Sequence, residues 1–140
     1  MVDAVVMTQD SEGTGLVTVA SPFSVADTVN RLEREIEASG LALFAVVDHG
    51  SAARGIGVPM RETQLLVFGN PRVGTAAMTA SRLFALELPL RALVWADGRG
   101  GVWVSYQDVR ELGRRYGVPD ALMQPLNRVP ELVSTAVGPV

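Results

Sequence analysis

The chain contains no cysteine and no lysine. Without cysteine there is no disulfide, no thiolate nucleophile, no iron–sulfur ligation and no cysteine zinc site. All twelve basic residues are arginine, so Schiff-base chemistry and a lysine-dependent phosphate loop drop out. A basic excess is missing as well. The formal net charge of -3 opposes nonspecific nucleic-acid binding, which needs a cationic stripe to neutralise phosphates. No polybasic segment points to an anionic membrane surface, and no apolar run reaches the ~18 residues of a membrane span. The start, "MVDAVVMTQDSEGTG", lacks the positive and continuous apolar regions of a signal peptide. These absences predict a soluble cytoplasmic protein with no nucleic-acid and no membrane partner.

What is present reads as one α+β domain. The 140 residues suit a single core. We expect a flexible N-terminus over 1–14, one α+β domain over 15–118, and a C-terminal extension over 119–140 packing on the domain or a partner. "GLVTVA" (15–20) alternates as a first strand. Ser24 caps a helix in which Val25, Val29, Leu32 and Ile36 repeat at helical spacing and Gly40 ends the pattern. "LALFAVVD" (41–48) reads as a largely buried strand, and "GSAARGIG" as one short helical turn before Pro59. "QLLVFGN" (64–70) is a second buried strand closed by a turn at Asn70-Pro71. A short helix over "VGTAAMTASRL" follows. "LPLRALVWAD" and "VWVSY" flank the hairpin loop "DGRGG". "QDVRELGRRYG" (107–117) is an amphipathic helix with Val109 and Leu112 inward. The tail, with Pro119, Pro125, Pro130 and Pro139, suggests short helical pieces on the surface or crossing to a partner.

The chemistry-bearing residues are few. His49 is the only histidine, and histidine alone titrates near neutral pH without perturbation. Preceded by Asp48, it is a candidate general acid or base; in a continuing strand the two would point to opposite faces, and Asp48 also suits a turn cap. "GNPRVGT" (69–75) has the glycine spacing of a phosphate loop but no lysine between Gly74 and Thr75. Backbone N–H groups near Thr75, with Arg72, remain a candidate anion cradle, against the plainer reading of a glycine turn. Glu62, Glu87 and Asp97 show no metal-ligand spacing with His49, so no metal and no cofactor is expected. "HGS" without a G-x-S-x-G elbow carries no serine-hydrolase signal. Trp95, Trp103 and Tyr106 fall on the hairpin and read as core or dimer-interface residues.

The order of these words resembles the domain-of-unknown-function 302 family across about residues 22 to 118. The resemblance rests on "VDH" after a strand, on "LLVFGNPRVGT", and on "LELPLRALVW" before "VWVSY". It implies a compact TATA-binding-protein-like β-α-β4-α unit that tends to form homodimers, with no established activity. It also implies that Asp48, His49, Asn70, Pro71, Gly74, Thr75 and Tyr106 stand where family members carry the same residue types. Glu62 and Ala76 depart from that pattern, where proline is common.

The expectation is therefore a curved, mainly antiparallel sheet with two main helices on one face. Asp48, His49, Asn70 and Thr75 are expected at one end of that sheet, with Gly74 and Tyr106 completing a ligand site. The opposite sheet face, with Trp95 or Trp103, is the candidate homodimer surface. Two function classes follow. One is a noncatalytic accessory or binding protein holding a small polar or anionic ligand. The other is a small enzyme using His49 as acid or base with Asp48 orienting it.

Overall fold

A computed structural model describes residues 15–138. The flexible start expected over 1–14, and Pro139 of the tail, lie outside the described residues. Five strands form one antiparallel sheet in the order β1-β5-β4-β3-β2. They are β1 (Leu16–Ser21), β2 (Ala42–Asp48), β3 (Thr63–Gly69), β4 (Leu90–Ala96) and β5 (Val102–Gln107). Among the described residues six α-helices accompany them: α1 (Val25–Ala38), α2 (His49–Gly55), α3 (Pro71–Ala80), α4 (Val109–Arg115), α5 (Asp120–Met123) and α6 (Val129–Val137). Short 3-10 helices cover Arg82–Glu87 and Gln124–Leu126.

Alternation along the strands creates the core. Leu66 and Phe68 of β3, Leu90, Ala92 and Val94 of β4, and Val104 and Tyr106 of β5 are buried. In register they lie side by side: Phe68 beside Leu90, Leu66 beside Ala92, Val94 beside Val104. The apolar stripe of α1 completes this layer, with Val25, Val29, Leu32 and Ile36 at most 4 % exposed. Its ends are fixed as the spacing predicts. The Ser24 hydroxyl accepts the Asp27 N–H at 3.0 Å, and Gly40 takes φ +77° where a side chain would be strained.

Residues after 118 join this core. Met123, Leu126, Val129, Leu132, Val133, Ala136 and Val137 are all buried, and α6 packs against α1. Between α4 and α5 the chains approach so closely that a Cβ on Gly113 would meet Met123 Cγ at 2.4 Å.

β2 departs from the expectation of a buried strand. It is the sheet edge, next to β3 alone, and five of its seven residues are exposed. A bulge shifts its register between Leu43 and Ala45.

The other sheet face carries Thr18, Leu65, Leu93, Trp95, Trp103 and Ser105. The two tryptophan rings stack at 6.3 Å. Trp95 Nε1 donates to Ser105 Oγ at 2.9 Å, and that hydroxyl also meets Thr18 Oγ1 at 2.8 Å. Trp103 Nε1 donates to Asp97 at 2.8 Å. Asp97 also accepts the N–H groups of Arg99 and Gly101 across the β4–β5 hairpin.

The Trp103 indole, followed by those two N–H groups, holds the Asp97 carboxyl below the usual carboxylate range. A depressed folded-state pKa gives stability that is present above the unfolded value and lost as pH falls through the folded one. Asp97→Asn is expected to lower the urea midpoint near neutral pH, and the gap to wild type to shrink in acid. Equal gaps at about pH 7 and about pH 3 would contradict this linkage.

Candidate functional site

Asp48 ends β2 and caps α2. Its Oδ1 accepts the Ser51 N–H at 2.8 Å, which satisfies one of the free donors at a helix start. His49 is the first residue of α2 and is exposed. Its imidazole makes no hydrogen bond or ion pair with Asp48 or any other described residue, so the two do not form an oriented acid–base pair.

Asn70 and Thr75 stand elsewhere. Asp48 lies beside Gln64, whereas Ala42 lies beside Gly69. Antiparallel neighbours end at opposite ends of a sheet, and six residues of strand separate the two by ~20 Å. The expected convergence of Asp48, His49, Asn70 and Thr75 at one end is therefore corrected. Tyr106 joins neither group. It lies 6 % exposed in the core, beside Val17 and Ala92, where burial pushes its hydroxyl pKa up, with a smaller push from Asp108.

The segment "GNPRVGT" is a helix start. Asn70 is the N-cap and Pro71 the first helical residue, where the missing proline N–H costs nothing. Asn70 Oδ1 accepts the Arg72 N–H at 3.0 Å. The Asn70 carbonyl accepts from Val73 at 2.9 Å and Gly74 at 3.2 Å, and Thr75 Oγ1 donates back to the Pro71 carbonyl. The backbone N–H groups of Arg72, Val73 and Gly74 are engaged at the helix start, which leaves the Arg72 guanidinium as the donor of that expected cradle without a hydrogen bond or ion pair to a described residue.

Beside this start lies a groove of about 240 Å³, formed by Phe44, Gly69, Asn70, Gly74, Met78, Leu88, Pro89 and Leu126 among others. Two glycines keep it open. A Cβ on Gly69 would stand 3.7 Å from Phe44 and 3.8 Å from Pro89, and one on Gly74 would stand 3.0 Å from Leu88. Oδ1 of Asn70 is taken up as the acceptor for the Arg72 N–H, so Nδ2 is the donor this amide retains. An apolar cavity of about 150 Å³ suffices for benzene, so this groove admits a monocyclic molecule with a side group. Phe44 and Leu126 were not legible as lining residues, since one sits in an apolar run and the other in the tail. The glycines of "GNPRVG" were the available signal. Among the described residues there is no cluster of three or more histidine, cysteine, aspartate or glutamate side chains able to hold a metal.

A family described as "Domain of unknown function DUF302" matches residues 17–135. The chain belongs to the DUF302 family. Its fold is similar to that of an uncharacterized conserved DUF302 protein from Bacillus stearothermophilus. The TM-score is 0.74 at 15% identity, over 89% of this chain and 97% of that one. This DUF302 chain is also 42% identical over 104 residues to "Fluoride-specific ion channel FluC 1" of Brucella suis biovar 1 (strain 1330), covering 74% of this chain and 41% of that protein. The match to "Fluoride-specific ion channel FluC 2" of Brucella melitensis biotype 1 is 42% identical and covers 38% of that protein. The DUF302 chain thus spans about two-fifths of the length of these curated relatives. No helix among its described residues is long and apolar enough to cross a membrane.

Proposed function

We propose that this chain is a noncatalytic accessory domain that works beside a membrane fluoride channel, with the groove at Asn70 as its small-ligand site. The observation that carries the reading is the part-length match. A helical channel crosses the bilayer on segments of about 20 apolar residues. No described helix here meets that requirement, yet the chain matches two-fifths of proteins named as channels. On this reading the conducting part of those relatives lies in the remaining three-fifths, and the shared part serves it. The location proposed is the cytoplasm, which the cysteine-free composition suits.

The groove favours an apolar molecule bearing one hydrogen-bond acceptor for Asn70 Nδ2. This reading departs from the small polar or anionic ligand expected from the turn, because most of the lining side chains are apolar. The enzyme alternative has less behind it, because His49 is exposed and no described side chain orients it.

Deleting the coding sequence is expected to lower the fluoride concentration that arrests growth, and a wild-type copy to restore it. Gly69→Leu, which fills the groove, is expected not to restore it. Unchanged fluoride tolerance on deletion would refute the accessory role. Full rescue by Gly69→Leu would remove the groove from the function.

A further inference from the structure

The stretch from α2 to β3 carries no acid. From His49 through Arg61 its ionisable side chains are His49, Arg54 and Arg61, although the whole chain has a net charge of -3. Between the two arginines lies a loop of glycine and apolar residues that faces water. Ile56 is 80 %, Val58 48 % and Met60 42 % exposed, and Pro59 is exposed as well. One exposed apolar side chain is ordinary, but a contiguous set marks a contact site. The loop is also closed on itself. The N–H groups of Ile56 and Val58 donate to the Ala53 carbonyl at 3.1 and 3.0 Å, and that of Gly57 donates to the Arg54 carbonyl at 3.0 Å. Pro59 has no N–H, and Arg54 Nη1 donates to the Met60 carbonyl at 3.0 Å. Gly57, at φ +80°, makes the bend.

We infer that this loop, residues 55–60, dips into the surface of an anionic lipid bilayer, with Arg54 and Arg61 at the level of the phosphates. Two features select a bilayer over a protein partner. Backbone that leaves water for lipid must have its N–H groups satisfied internally, and from Ile56 to Pro59 none is left over. Arginine on either side of an apolar tip suits a headgroup layer, because the guanidinium pairs with phosphate while the methylene stem stays in the apolar region. Two carboxylates bound the segment. Asp48 precedes α2 with Oδ1 on the Ser51 N–H, and Glu62, exposed beside Arg61, offsets part of the positive charge. The expectation of no membrane partner draws on net charge and on long apolar runs, neither of which registers a short loop with two arginines. The contact is of the weak, reversible kind that one short apolar anchor gives. It goes beyond the accessory role and rests on it only for placing a membrane near the chain.

With no cysteine in the chain, one introduced thiol carries a polarity-sensitive dye to a chosen place. On vesicles of phosphatidylethanolamine and phosphatidylglycerol, the dye at Ile56→Cys is expected to shift to the blue and the dye at Leu83→Cys to emit as in buffer. Leu83 is 69 % exposed on the 3-10 helix before β4, whose Leu90 pairs with Phe68 toward the far end of β3. In co-sedimentation of the unlabelled chain with these vesicles, Ile56→Ser is expected to weaken binding about tenfold. Arg61→Gln is expected to weaken it about fivefold, and to leave the weaker binding to phosphatidylcholine vesicles unchanged. Both positions are exposed, so the circular dichroism of the variants is expected to match wild type. A wild-type chain that co-sediments with neither kind of vesicle would overturn the inference. So would equal blue shifts at 56 and 83, or binding that Ile56→Ser leaves intact. Fluoride tolerance keeps the two readings apart. Tolerance lost on deletion without vesicle binding retains the accessory role and removes the bilayer contact, and vesicle binding with unchanged tolerance does the reverse.

Discussion

A chain ended before Val129 is expected not to fold. α6 contributes Val129, Leu132, Val133 and Val137 to the core, none more than 6 % exposed. Burying four such side chains is worth ~6–12 kcal/mol at ~1.5–3 kcal/mol each. A domain's whole stability is about 5–15 kcal/mol. The loss also strips α1, since α6 packs on it and Leu32 and Ile36 are wholly buried. Far-ultraviolet circular dichroism with a urea titration checks this. A truncated chain that unfolds cooperatively at the wild-type midpoint would show that α6 is an appendage.

Phe68→Ala is expected to cost about 3–5 kcal/mol, the usual range for emptying a large aromatic site in a core. Phe68 is wholly buried on β3, with Leu43 beside it on one strand and Leu90 on the other. Both neighbours are fixed by ladder pairing, so collapse into the cavity is limited. The instructive control is Phe44→Ala in β2. With half its surface already in water, it is expected to shift the urea midpoint of the monomer little, as surface substitutions do. Comparable losses at both positions would mean that β2 is covered in solution even in the monomer.

The contrast between these two phenylalanines shows what the sequence conveys and what it does not. Both sit in apolar runs of similar length, "LALFAVVD" and "QLLVFGN". Such runs read alike as buried strands, because composition does not encode which strand lies at the edge. The strand order places one in the middle of the sheet and the other at its rim. Caps were more legible. Ser24 is the cap expected for α1, and Asp48, weighed as a turn cap, indeed binds the Ser51 N–H. Asn70-Pro71 is the ambiguous case. The same dipeptide closes a turn or opens a helix, and here it opens one. Proline likewise stands within the first two positions of α6 and of the 3-10 turn before it, where a breaker of helix interiors is a starter of helices. The site was the hardest part to read. Asp48 and His49 on one side, Asn70 and Thr75 on the other, each follow a strand, and only the pairing register reveals that the two lie at opposite ends.

The stacked tryptophans have a practical bearing. Trp95 and Trp103 are the only two in the chain, and they share one spot on the sheet face away from α1, with both indoles held by hydrogen bonds. Intrinsic fluorescence excited at the indole band is therefore a local gauge of that face. A partner settling there changes the emission directly. A ligand entering the groove beside Asn70 leaves it unaltered unless the sheet itself moves, so one optical signal separates the two kinds of encounter.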